Sequence, residues 1–189
     1  MPPLATPLAS RAVHEIFDRV ASDLAMLADR SIDVREVLYE ERHDRPSAAG
    51  SVHISFRLRI DSDGRTRYGA LMIPLAEAIA IAGYLMMVSE AQVAQMQAAP
   101  SLDRPLKEAL LEVGTFVAGA SDAAFRAAGA TRSRVTFDGC QGVRENVPPA
   151  FDYDEGDPLA VGRALVSVAD APPVEFVVML PRAESAARV

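Results

Sequence analysis

The sequence predicts an α+β domain in which two similar halves build one sheet. Three observations carry this. Residues 51–60 alternate strictly, with Val52, Ile54, Phe56, Leu58 and Ile60 set against His53, Ser55, Arg57 and Arg59, the period-two signature of a half-buried strand. Residues 104–128 carry an apolar stripe at spacings of three and four, the signature of an amphipathic helix. A helix followed by strands occurs twice, over 9–73 and 104–180, which suggests halves related by a pseudo-two-fold.

The elements follow in order. Residues 1–8 are Pro-rich and are expected to be a flexible N-terminus. Val13, Ile16, Phe17, Val20, Leu24 and Leu27 predict a helix over 9–29, with Ser10 as its cap. Residues 32–40 alternate partly and predict a strand, and 42–50 read as a loop. Asp61, Ser62, Asp63 and Gly64 supply turn chemistry between the strand 51–60 and a second alternating strand, 65–73, making a hairpin. Pro74 suits a helix start. The helix from there to about Val88 is apolar nearly all round, so it should be buried. A short helix is expected over 89–97, and Pro100 to Pro105 separates it from the long helix 104–128. A strand near 131–138, a loop over 141–158 and strands near 160–169 and 174–180 complete a single domain over 9–182. Residues 183–189 are expected to be a flexible C-terminus.

Composition bounds the function. The chain has 189 residues, enough for one domain with a real core. Asp plus Glu is 26 and Lys plus Arg 19, for a net charge of −7; this argues against binding nucleic acid through broad electrostatics. Cys140 is the one cysteine, which excludes an internal disulfide and a cysteine-based zinc cluster and fits a reducing compartment. No signal-peptide pattern opens the chain, and no apolar run reaches the roughly 18 residues that suggest a membrane span. The expectation is a cytoplasmic protein with no membrane insertion.

The helix 104–128 carries the functional argument. At about 100° per residue, Leu106, Leu110, Val113, Val117, Ala120 and Ala124 fall on one stripe. Glu108, Glu112, Thr115, Gly119, Asp122 and Arg126 fall on the opposite one. Most such polar faces are simply solvated. Here the centre holds Thr115 and Gly119, small residues that are poor helix formers, and Gly114 adds a second glycine. A glycine costs about 1 kcal/mol relative to alanine in an exposed helix, so small residues around an acidic one suggest that another surface comes close.

The run Glu108, Glu112, Thr115 and Ala118–Gly119 resembles the signature helix of the CheC/CheX/FliY family of chemotaxis phosphatases. Its pattern is an acidic residue or Ser, three residues, Glu, two residues, Asn, then small residues. Glu108 takes the first acidic place, Glu112 matches the Glu, and Ala118–Gly119 matches the small pair. Thr115 stands where Asn is expected. The hairpin and apolar helix before the motif, and the strands after it, resemble the family too.

The resemblance implies a CheC-like α+β fold, with an antiparallel-rich sheet packed by two long helices. It implies a phosphatase or regulator acting on a phosphorylated CheY-like receiver domain in chemotaxis or two-component signalling. Glu112 and Thr115 would be catalytic. Glu112 would pair with a receiver lysine, and Thr115 would take the Asn's role of orienting water for in-line attack on the aspartyl phosphate. Glu108, Glu112, Thr115, Gly119 and Asp122 would contact the partner. The protein needs no cofactor of its own, because the receiver supplies the magnesium. A homodimer is allowed; nucleic acid is not expected. Positioning a nucleophile is the main protein task in phosphoryl transfer, and an i, i+3 pair puts both side chains on one face. A Thr hydroxyl offers a donor and an acceptor, as an amide does, but it is shorter and competes for the i−4 carbonyl. The family's second motif would fall at Glu15 and Asp18; Asp18 would set a negative charge beside a phosphoryl group, so this site reads as dead and Glu15 as a surface charge.

Two other classes remain open at this point. One is a catalytically silent adaptor or scaffold that binds a receiver or a motility component; the other is a small-ligand sensor. His14, His43 and His53 show no metal-ligand spacing. Asp61, Asp63 and Gly64 begin like a calcium loop but lack its closing Glu, position 72 being Met72. Asp152, Asp154, Glu155 and Asp157 read as a solvated acidic loop.

Overall fold

The computed structural model describes residues 7–182. The expectations for residues 1–6 and 183–189 lie outside them. The elements are α1 (Pro7–Ala28), β1 (Ile32–Arg42), β2 (His53–Ser62), β3 (Arg65–Pro74), α2 (Leu75–Leu85), α3 (Glu90–Ala98), α4 (Arg104–Ala128), β4 (Ser133–Val143), β5 (Leu159–Val168) and β6 (Val174–Pro181).

The six strands form one sheet in the order β1-β5-β6-β3-β2-β4, and all five neighbouring pairs are antiparallel. Exchanging β1 with β4, β2 with β5 and β3 with β6 returns the same order read backwards. The halves are therefore related by a pseudo-two-fold through the β3–β6 pair. Irregularities repeat as well. Glu36 and Val37 bulge out of β1 against β5, and Asp138 and Gly139 bulge out of β4 against Arg57. Glu36 and Gly139 both take positive φ, 52° and 100°, as bulges with one left-handed residue do. The Arg57 guanidinium holds the second bulge, donating to the Asp138 carbonyl at 2.8 and 3.1 Å and pairing with its carboxylate.

The predicted hairpin is present and tighter than expected. β2 runs through Ser62, and the turn is Asp63–Gly64, with φ of 49° and 76°. Two positive φ values make the primed turn that matches strand twist. α1 begins at Pro7, so Ser10 is no cap; it lies inside the helix, and its carbonyl is 2.8 Å from the His14 ring nitrogen. The helix after Pro74 ends at Leu85, before Met87 turns the chain at φ 61°. Ser89 caps α3 through a reciprocal bond with Gln92.

One face of the sheet carries the helices. α1 and α4 lie side by side on it, and their apolar stripes meet Phe56, Leu58, Leu71, Ile73, Ala164, Phe176 and Val178. Gly162 allows the close approach of α1: a Cβ there would come within 2.3 Å of Val13 and 3.0 Å of Phe17. The opposite face is not left to solvent. Residues 43–52 and 144–158 cross it, and Ala48 and Phe151 seal Ala70, Met72, Leu159, Val161, Val177 and Met179. Arg45 fastens the two crossings together. It donates to the Pro149 carbonyl and to Glu155, and lies over the rings of Phe151 and Tyr153. This corrects two sequence expectations. The loop read over 141–158 starts only after Val143 and is a strap with a buried aromatic, Phe151, while Asp152, Asp154, Glu155 and Asp157 on it are exposed as expected. His53 and Ser55, read as the wet face of β2, are 3% and 2% exposed.

Candidate functional site

α4 is fixed at both ends and along one side. The Asp103 carboxylate accepts from the Leu106 amide at 3.0 Å, and Pro105 sits in the first turn, where no amide donor is needed. Gly129 ends the helix in the left-handed conformation at φ 104°. Leu106, Leu110, Val113, Val117, Ala120 and Ala124 are all buried, as the stripe predicts. Glu108, Glu112, Thr115, Gly119 and Arg126 are exposed.

The predicted site residues differ in what they already hold. Glu108 is paired with Arg104 at 2.8 Å, and both are exposed. Glu112 makes no hydrogen bond or ion pair among the described residues. Thr115 Oγ1 donates to the Leu111 carbonyl at 3.1 Å, the i−4 bond its residue type favours. Asp122 sits at the margin of the face, its side chain 15% exposed. Its carboxylate accepts from the Val135 amide at 2.8 Å and pairs with Arg126, which ties α4 to the start of β4.

The two glycines have different causes. A Cβ on Gly114 would fall 2.2 Å from the Phe137 ring, so this glycine exists to admit that ring. A Cβ on Gly119 would meet nothing within 4 Å among the described residues. The sequence argument that α4's glycines await an outside surface therefore survives for Gly119 alone.

Two apolar side chains on this face escaped the sequence reading. Phe116 is 38% exposed and Leu111 46%. They stand on either side of Glu112 and Thr115. The helical projection contained the signal, since Phe116 lies only about 40° round the helix from Glu112. Below Leu111, between α4 and the edge strand β4, Leu102, Leu110, Ile54 and Gly142 line an apolar groove of about 330 Å³.

α1 is the counterpart of α4. Setting Glu15 on Glu112 brings Ala12, Val13, Ile16, Phe17, Val20, Ala21, Leu24 and Ala28 onto Ala109, Leu110, Val113, Gly114, Val117, Ala118, Ser121 and Phe125, and every one of these is buried. In this register Asp18 replaces Thr115, Arg19 replaces Phe116 and Ser22 replaces Gly119. Glu15 is already bound, by Arg19 at 3.0 Å. Among the described residues, no group of three or more His, Cys, Asp or Glu side chains converges to hold a metal ion, and no helix is long and apolar enough to cross a membrane.

No protein-family model and no curated protein matches the chain. Solved structures do. FliY from Thermotoga maritima superposes with a TM-score of 0.67 at 14% identity, covering 96% of this chain and 91% of that one. A CheC-like superfamily protein from Shewanella sp. PV-4 gives 0.57 at 10% identity, covering 89% and 96%. FliM from H. pylori, in a FliG-FliM complex, gives 0.58 at 11% identity, covering 92% and 91%. The resemblance first seen in a dozen residues of α4 thus extends over nearly the whole chain as architecture, and the protein has the CheC-like α+β fold that these proteins share.

Proposed function

We propose that this protein docks the outward face of α4 on a phosphorylated receiver domain and hydrolyses its aspartyl phosphate. One observation carries the reading. Glu112, exposed and unpaired, stands three residues before Thr115 on a face kept open at Gly119. Glu112 offers a carboxylate to a partner ammonium. The Thr115 hydroxyl donates its hydrogen bond to the Leu111 carbonyl, so its oxygen is left to accept from water. Water held there attacks phosphorus in line, the bond to the partner's aspartate oxygen breaks, and phosphate leaves with the carboxylate restored. The receiver supplies magnesium, as the family resemblance implies.

The same bond also favours a second reading. A hydroxyl held against its own helix reaches out less far than an amide, and a face that docks without positioning water makes an adaptor. The FliM neighbour was solved bound to FliG, which supports a fold suited to protein partners.

Phosphate release from phosphorylated receivers, under single-turnover conditions, separates the readings. Wild type should accelerate release. Thr115→Ala should slow it by up to about 100-fold with little change in affinity. Glu112→Ala should cost about 1–3 kcal/mol of binding. Thr115→Asn should preserve or raise the rate. Binding without acceleration would leave the adaptor; absence of binding to any receiver of its own genome would end both readings.

A further inference from the structure

We infer that Phe116 determines what α4 recognises: it leaves the Glu112 carboxylate unneutralised and sets an apolar ring beside it, so the face fits a cation flanked by an apolar recess. This rests on the docking reading above and adds to it the residue that makes α4, and not α1, the recognition helix.

The comparison within the chain supplies the argument. α1 and α4 share the buried positions set out above and carry a glutamate at the same place, half-buried as Glu15 in α1 and exposed as Glu112 in α4. In α1 the residue one turn on is Arg19, which holds Glu15 at 3.0 Å. A Glu followed four residues later by a cation is the favourable orientation for a helix pair, so the α1 carboxylate is satisfied within its own helix. In α4 the residue one turn on is Phe116, and Glu112 has no partner among the described residues. Phe116 is still 38% exposed, although burying such a ring is favourable. Leu111, 46% exposed, extends the apolar border on the other side. A free carboxylate between two apolar side chains is a poor solvated surface and a good contact surface, because a partner cation seated there is shielded from water. Aromatic residues of this kind are the usual anchors of interfaces.

The test transplants the α1 arrangement into α4. Phe116→Arg should build the Glu112–Arg pair and weaken binding to a receiver domain by about tenfold or more. Phe116→Ala should weaken it about 3- to 10-fold, and Phe116→Leu should stay within about threefold of wild type. Circular dichroism melts should show all three folded with similar unfolding temperatures, since the ring is outside the core. A double-mutant cycle adds a readout that mere loss of packing would not give. Glu112→Ala should reduce binding in the wild-type background and change it little beside Phe116→Arg, because that arginine has already taken the carboxylate. If wild type binds a receiver and both Phe116→Arg and Phe116→Ala bind equally well, this inference is overturned and the docking reading stands. If wild type binds no receiver, both fall together.

Discussion

Alanine at Gly119 and alanine at Gly114 should move stability in opposite directions, although the two glycines lie five residues apart on one helix. At Gly119 the added Cβ meets no atom within 4 Å. The substitution then removes only the glycine penalty, about 1 kcal/mol in an exposed helix, and for a chain of this size the unfolding temperature should rise about 2–4 °C. At Gly114 the Cβ would stand 2.2, 2.3 and 2.8 Å from three atoms of the Phe137 ring. Overpacking of this kind costs about 1–3 kcal/mol. Offset against the same helix gain, the net loss should be up to about 2 kcal/mol, lowering the unfolding temperature by up to about 8 °C. Thermal melts followed by circular dichroism measure both. Phe137→Leu should relieve part of the Gly114→Ala loss, because a smaller side chain vacates the notch. Gly119→Ala has a second consequence: it should stabilise the free protein and yet weaken receiver binding, if a partner surface closes over that open space. Loss of stability at Gly119, or a gain at Gly114, would refute the packing argument. A stable Gly119→Ala protein with unchanged binding would remove the reason for reading that glycine as part of a docking face.

Two further outcomes follow from the same geometry. Asp122→Ala should cost about 1–3 kcal/mol, because it leaves the Val135 amide without its 2.8 Å acceptor; Asp122→Asn, which keeps an acceptor oxygen, should restore much of it in the same melts. Burial pushes the Glu77 carboxyl above its ordinary value, so the folded state holds that proton more tightly than the unfolded one. Its favourable contribution is present below the ordinary glutamate value of 4.5 and is lost as pH rises through the raised one. Glu77→Gln should therefore be more stable than wild type near neutral pH, with the difference shrinking as pH falls through the raised value and gone below about 4.5; equal stability at every pH would contradict the burial effect.

The sequence made some of this legible and hid the rest for physical reasons. α4 was readable because local pattern decides it: one apolar stripe at spacings of three and four, opened after Pro100 to Pro105. The repeated halves were readable as a succession of elements, and the sheet order then confirmed them. The strap over the second sheet face was not readable. Phe151 sits among Asp152, Asp154 and Glu155, and only the long-range clasp of Arg45 shows that its ring turns inward. For the same reason His53 and Ser55 read as solvent-facing, since alternation reports chemistry along a strand and not what crosses above it. Within the candidate site, the outward placement of Glu112 and Thr115 was readable from helical spacing, and the family resemblance singled out the pair. That Gly114 answers to Phe137 while Gly119 answers to nothing among the described residues needed the surroundings of both in space. Phe116 was hidden because an aromatic residue in a helix is ordinarily assigned to the core.

A receiver domain seated on α4 would shield that helix from solvent. Amide hydrogen exchange of this protein, with and without a beryllofluoride-activated receiver domain, tests it most directly. Docking on α4 should add protection along residues 108–119, with little change in α1. Protection confined to the β1 edge, the strap at 144–158 or the α1 face, with α4 unaltered, would contradict it.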